Sequence, residues 1–274
     1  MVPHLRVNHS RPIEQRIRSP EPNLRSRSAP GSTSIEEIRA TAGRRKRELL
    51  RRYTRPGARI LDVGCGAGGY LLAARELGFE AMGVEPSDAH ATIGRGLGLD
   101  IRSGYYRPGD FAEGGFDLVL TSHVVEHIYD PRPFLESLAG LVRPGGWLVA
   151  ITPDSDCLPA RLSGKHWVML KPIDHVSMLT ERALRRMGLE RYGNVAFRRT
   201  SQDGEFFITL AAAARDAAQG IHTDASGGQA AVAGDGAVGA GRVKHALARW
   251  ARSVDRVADR VNRGACLIME LQRT

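Results

Sequence analysis

The sequence predicts an α/β protein built on a doubly wound, mostly parallel sheet. Three observations carry this reading. Apolar strand-like runs alternate with helical patterns from Ala58 to Thr152, the pattern of βαβ units. The first run, Ala58 to Val63, feeds the turn Gly64-Cys65-Gly66-Ala67-Gly68-Gly69 and then a helix rich in Leu and Ala. Breakers stand where strands must begin. Arg55-Pro56-Gly57 precedes the first, and Arg143-Pro144-Gly145-Gly146 precedes the fifth with Pro and Gly placed as a type II turn requires.

The chain of 274 residues suits one α/β domain with additions, and a hydrophobic content of 42% supplies a core. The 3 cysteines, Cys65, Cys157 and Cys266, are scattered. That argues for a reducing, cytoplasmic location and against a disulfide framework or zinc site. No apolar run reaches the roughly 18 residues of a membrane span. The net charge of +9 is uneven: residues 1–52 carry 13 Lys/Arg against 5 Glu, leaving 26 against 25 elsewhere. Such an arm can contact nucleic acid. Its Pro and Ser with little apolar content instead read as a disordered arm, so a nucleic-acid partner is the lesser expectation.

Taken in order, residues 1–33 form that arm. Residues 34–56 hold a helix opening at the capping box Ser34-Ile35-Glu36-Glu37 and running to about Tyr53. Residues 57–200 form the core. Its later strands are Phe79 to Glu85, a weak Asp100 to Arg102, Phe116 to Thr121 and Trp147 to Thr152. Ser87-Asp88 caps one intervening helix and Asp130-Pro131 opens another through Leu141. Thr180 to Met187 reads as a helix and Val195 to Arg199 as a strand. Residues 201–274 form an extension with a Gly/Ala-rich stretch from Gly220 to Gly241 and an amphipathic helix from Val243 to Val261. Cys266 to Leu271 is the preferred last strand, with Phe206 to Leu210 its rival. Ligands on such sheets sit at the carboxyl ends of the strands. Val63, Glu85 and Thr121 to His123 therefore converge.

The glycine turn has two spellings. Gly64, Gly66 and Gly69 satisfy a dinucleotide fingerprint, with Glu85 about 20 residues on. Gly64, Gly66 and Gly68 after Asp62 instead resemble the first motif of the class I S-adenosylmethionine-dependent methyltransferases, an acidic residue followed by x-G-x-G-x-G. Gly83-Val84-Glu85-Pro86-Ser87 resembles that family's second motif. The stretch from Phe116 to Pro131 resembles its fourth strand with the trailing E-H-x-x-D-P, and Leu141 to Gly146 resembles its L-x-P-G-G turn. As a set these cover about residues 45–190. The resemblance implies a seven-stranded Rossmann-like sheet, with an N-terminal helix and a C-terminal helical insertion, and S-adenosylmethionine as cofactor. It also implies that Asp62, Gly64, Gly66 and Gly68 cradle the methionine moiety, that Glu85 accepts from both ribose hydroxyls, and that Ser122 lines the site. One departure concerns adenine: no carboxylate follows strand three until Asp110. Backbone groups and a tyrosine face within Gly104-Tyr105-Tyr106 are expected there instead.

His123, Glu126 and His127 fall at i, i+3 and i+4, one face of a helical turn. The string also spells an inverted zinc-protease signature, which its place directly after a core strand rules out. Ubiquinone-pathway O-methyltransferases resemble the chain here and set a carboxylate-x-x-Glu-His cluster around a divalent cation. His123 stands in place of their first carboxylate, so no metal is expected and Glu126 and His127 brace the loop. Trp167, Pro172 and His175 resemble a W…P-x-H stretch that walls the substrate pocket, Trp167 either stacking on substrate or filling core. Methylation of an oxygen calls for a base of near-neutral pKa. His175 is the first choice, and His123 and His127 are the others. The expected function is methyl transfer to an oxygen, or a carbon, of a small molecule. Two rivals are an enzyme that reaches RNA or protein through the basic arm and a non-catalytic cofactor-binding protein.

Overall fold

The computed structural model describes residues 43–201 and 264–274. The basic arm, the capping box at Ser34, the rival strand at Phe206 to Leu210, the Gly/Ala-rich stretch and the helix Val243 to Val261 lie outside the described residues.

Helix α1 (Arg44–Tyr53) leads into β1 (Arg59–Val63), α2 (Gly69–Glu76), β2 (Glu80–Glu85), α3 (Asp88–Gly96), β3 (Asp100–Ser103), β4 (Phe116–Ser122), α4 (Pro131–Leu141) and β5 (Val142–Pro153). Then come α5 (Leu158–Ser163), α6 (Glu181–Arg185), β6 (Gly193–Thr200) and β7 (Cys266–Arg273). The seven strands lie in the order β3-β2-β1-β4-β5-β7-β6, and the pairings from β3 through β5 are parallel. The doubly wound, Rossmann-like sheet expected from the sequence is the one found. Its central strands read as unbroken apolar runs because both faces are covered: Ile60, Leu61, Leu118, Val119, Leu120, Leu148, Val149 and Ile151 are all buried. Ser87 caps α3 as expected, its hydroxyl accepting from His90 N. The preferred last strand is present as β7. Gly193 lies against Gln272 and Gly264 against Thr200, so β6 and β7 run antiparallel.

The fifth strand begins earlier than the sequence reading placed it. Val142 already pairs with Phe116, and pairing resumes with Trp147 opposite Leu118. Arg143 to Gly146 is therefore looped out within β5 as a bulge, and is not a turn before it. Gly145 has φ +77, the left-handed residue that a type II turn needs. A Cβ on Gly146 would stand 2.7 Å from the Asp117 carbonyl oxygen. Asp117 fastens the bulge, accepting from Arg143 Nε at 2.6 Å and from Arg59 N at 2.8 Å. Burial raises its carboxyl, but these hydrogen bonds outweigh burial and hold it below the usual range.

Contacts divide the described residues into two compact units, one of residues 43–152, 182–196 and 269–274 and the other of 153–181, 197–201 and 264–268. In the first, α1 buries Leu50 and Tyr53. The Tyr53 hydroxyl donates to the buried Glu270 carboxylate of β7, and Arg52 Nε lies 3.8 Å from the same group. In the second, Cys157, Trp167 and Ala265 form a small core with Ala160, Met169 and Met178 packed on it. Asp154 is fully buried there, accepting from Arg199 Nε at 2.6 Å and from Asp156 N at 3.0 Å. Among the described residues no helix is long and apolar enough to cross a membrane.

Candidate functional site

The turn after β1 adopts a left-handed backbone that favours glycine three times over, with φ +78 at Gly64, +56 at Gly66 and +87 at Gly68. Gly64 N and Cys65 N both donate to Val84 O, at 2.8 and 3.2 Å, which ties the turn to the end of β2. A Cβ on Gly64 would overlap Val124 Cγ2, and one on Gly68 would overlap Leu99 Cδ1. Gly66 differs, because nothing lies within 4 Å of where its Cβ would be. Its bare backbone faces open space. Gly69 opens α2, and so belongs to the helix and not to a phosphate fingerprint.

Glu85 ends β2 and is 7% exposed. Its Oε2 accepts from Gly66 N and its Oε1 from Ser87 N, both at 2.8 Å. Each oxygen keeps further acceptor capacity, as a bidentate contact to a vicinal diol requires. Asp62 is 1% exposed, and neither of its oxygens has a hydrogen-bond partner. Burial pushes its carboxyl up to about 7, opposed by the Lys46 charge and reinforced by Glu85. An orphaned buried carboxylate is costly unless a cationic donor arrives to pair with it. A glycine cradle, a gripped carboxylate and an orphaned carboxylate together fit an amino-acid ammonium joined to a ribose.

This arrangement has a measurable consequence for the ligand-free protein. Between about pH 3.9, where Asp titrates in an unfolded chain, and the folded value near 7, the native state holds a proton that the unfolded state has released. Stability therefore falls as pH rises through that window, by up to about 1.4 kcal/mol per unit. Asp62→Asn has no carboxyl to titrate and should lose less. Melting temperatures taken from about pH 5 to 7.5 should show Asp62→Asn gaining on the wild type as pH rises. Parallel curves would mean that Asp62 is ionised and paired in the folded chain.

The third cluster follows β4. His123 has φ +56 and is the one non-glycine with positive φ among the described residues. Its backbone N donates to Ile151 O at 2.8 Å. Its Nδ1 stands 3.3 Å from Oε1 of Glu126, a close contact and not a well-aligned hydrogen bond. The other Glu126 oxygen accepts from Thr152 Oγ1 at 3.1 Å. Burial raises the Glu126 carboxyl. The His123 contact, a backbone hydrogen bond and the His127 charge outweigh it and hold the group below its usual value. Ser122 is half-buried at the end of β4, and His127 is exposed.

A family profile described as a methyltransferase domain matches residues 35–194, more than half of the chain. The chain belongs to this family. It is 41% identical over 106 residues to a "Ubiquinone biosynthesis O-methyltransferase" of Caulobacter sp. (strain K31), covering 35% of this chain and 41% of that protein. It is 34% identical over 122 residues to a protein of the same name from Maricaulis maris (strain MCS10), covering 41% and 48%. The chain thus spans under half the length of these curated relatives. A S-adenosylmethionine-dependent methyltransferase structure from Archaeoglobus fulgidus superposes with a TM-score of 0.53 at 17% identity, over 88% of this chain and 95% of that one. At that identity the likeness is one of fold.

Within this methyltransferase domain the first unit holds Asp62, the glycine turn, Glu85, Ser122, His123 and His127, and the second holds His175. His175 is 8% exposed, its Nδ1 lies 2.7 Å from Met169 O, and its backbone N donates to Lys171 O at 2.7 Å. A carbonyl only accepts, so Nδ1 carries the proton in that contact. Trp167 is 4% exposed and fills the core of its unit, while Pro172 is exposed. The two tyrosines after β3 part company. Tyr106 turns inward, 7% exposed, with its ring 6.5 Å from Phe111 and its hydroxyl 3.3 Å from Ser137 Oγ. Tyr105 is 60% exposed. Asp110 is engaged by Arg107 N at 2.8 Å and by Arg102 at 3.3 Å. Sequence reasoning did not single out Thr152, which nothing in its local pattern distinguishes from any residue ending an apolar strand.

Proposed function

We propose that this methyltransferase domain moves a methyl group from S-adenosylmethionine to an oxygen of a small, phenol-like acceptor. The observation that carries the proposal is Glu85, buried at the end of β2 with one oxygen on Gly66 N and the other on Ser87 N. S-adenosylmethionine supplies a methyl group already activated on a sulfonium sulfur, so the protein needs no covalent step of its own.

In this reading Glu85 holds the ribose diol, and the backbone of Gly64, Gly66 and Gly68 surrounds the methionine moiety. Asp62 pairs with its ammonium. The exposed ring of Tyr105, two residues past the end of β3, offers adenine a flat face where no carboxylate stands. The remaining task is to align the acceptor, exclude water and take up a proton. His123, His127 and His175 are the side chains suited to that last step. The name of the relatives favours oxygen as the receiving atom and a quinone-like ring as its carrier. The test is incubation of the chain with methyl-labelled S-adenosylmethionine and a panel of catechols and phenols. Labelled methyl ethers, with S-adenosylhomocysteine released in equal amount, are expected. Label on nitrogen or carbon, or no release at all, would overturn the oxygen assignment.

A further inference from the structure

We propose that His123 and Glu126 form an acid–base dyad, with His123 taking the acceptor's proton and Glu126, held by Thr152, positioning it. The proposal rests on the oxygen-acceptor reading above.

Three features at the carboxyl ends of β4 and β5 point to it. The first is the backbone of His123. A left-handed φ in a residue with a Cβ costs about 1–3 kcal/mol and persists where the surroundings impose it. Here the hydrogen bond from His123 N to Ile151 O does so, and the carboxylate three residues on receives the side chain. The second is an asymmetry of exposure. The Glu126 side chain is 1% exposed and the His123 side chain 30%, so the pair has a dry end and an open end. The third is how Glu126 is held. Thr152 Oγ1 occupies Oε2, which leaves Oε1 toward the imidazole.

The chemistry follows from these contacts. An ionised carboxylate accepts and cannot donate, so the nitrogen it faces is the protonated one and Nε2 carries the lone pair. Glu126 stays ionised through the neutral range because the groups around it hold its carboxyl down against burial. A fixed negative charge then stabilises the imidazolium that forms when a proton arrives. During transfer the oxygen–methyl bond forms as the methyl–sulfur bond breaks, and that electron pair stays on sulfur. The hydroxyl proton passes to Nε2 and from there to water. His175 differs in kind. Its Nδ1 meets a neutral backbone carbonyl, which orients the ring but adds no charge. His127, the other imidazole near Glu126, is exposed.

The test uses the full chain with S-adenosylmethionine and 3,4-dihydroxybenzoate as the probe acceptor, followed from about pH 5.5 to 9. His123→Ala should lower kcat by about 100-fold or more, with cofactor affinity by calorimetry within about twofold of wild type. Glu126→Gln should lower kcat about tenfold and move the acidic limb of kcat/KM to lower pH, because the imidazole loses the charge that favours its protonated form. Thr152→Val should move the limb the same way by less, and it carries the test if Glu126→Gln does not fold. A lowered kcat with an unmoved limb, or a raised KM with kcat intact, would reduce Glu126 to a loop brace and overturn the dyad. Full activity in His123→Ala would overturn it as well, with the oxygen reading intact. Failure of the wild type to methylate the probe while still binding cofactor would strike the oxygen reading and the base role together. The histidine NMR titration then decides the pairing: a His123 midpoint that drops in Glu126→Gln upholds it, and an unchanged midpoint overturns it.

Discussion

Glu85→Ala should reduce affinity for S-adenosylhomocysteine by at least about 100-fold in calorimetry, a change of roughly 2.7 kcal/mol. Two losses combine. The variant gives up a bidentate, charged acceptor for the ribose hydroxyls, and hydrogen bonds to charged groups contribute about 1.5–3 kcal/mol each. It also strips the acceptor from Gly66 N and Ser87 N, the contacts through which Glu85 fixes the glycine turn. Glu85→Gln separates the two. It preserves one acceptor oxygen but turns an NH2 donor toward one of those backbone N–H groups, so it should fall between alanine and wild type. An alanine variant that binds within about threefold of wild type would mean that the ribose is held elsewhere, and the cofactor assignment would fall with it.

Gly64→Ala should destabilise the chain by about 2–4 kcal/mol in urea unfolding. Two costs are identifiable. The left-handed backbone, φ +78, costs any residue with a Cβ about 1–2 kcal/mol. The added methyl would also overlap Val124 Cγ2, on a β-branched side chain with little χ1 freedom to yield. The pair Gly64→Ala with Val124→Ala isolates the second cost, since removing the branched side chain relieves the overlap and leaves the backbone strain. Recovery of about half the loss, beyond the effect of Val124→Ala alone, is the expected result. No recovery would show that Val124 already moves aside, and that the turn is more compliant than its contacts imply. Because Val124 follows His123 in the chain, methyl transfer by the single variant should fall further than its stability does.

The parts legible in the sequence are those where the chain writes its structure locally. Leu118, Val119 and Leu120 read as a buried strand because apolar runs of that length have few other fates. Glu85 was legible because it ends such a run immediately before Pro86. Its two backbone partners were not, since they depend on how far the glycine turn swings toward β2. Pro144 and Gly145 announced a reversal, and Gly145 has the left-handed φ it asks for, but their place within β5, after the pairing of Val142 with Phe116, was not legible, because pairing is a property of the partner strand. Tyr53 and Glu270 are 217 positions apart, and no local signal announces that they meet. The left-handed backbone of His123 was hidden for a related reason. Glycine declares such a position by its identity, while a histidine held there by a neighbouring strand does not.

Strand β7 lies between β5 and β6, although it follows both in sequence. In the described sheet the pairing of β6 with β7 therefore waits until residues 266–273 have been made. On a ribosome, β1 through β5 can assemble in the order in which they emerge. The pairing of Gly193–Thr200 with β7 must wait while more than sixty further residues are synthesised, about 3–15 seconds at ordinary elongation rates. Until then the edge of β5 that β7 covers stands without β7. The sheet of the described residues thus closes on β7 only after the strands that carry the glycine turn and Glu85 have been made.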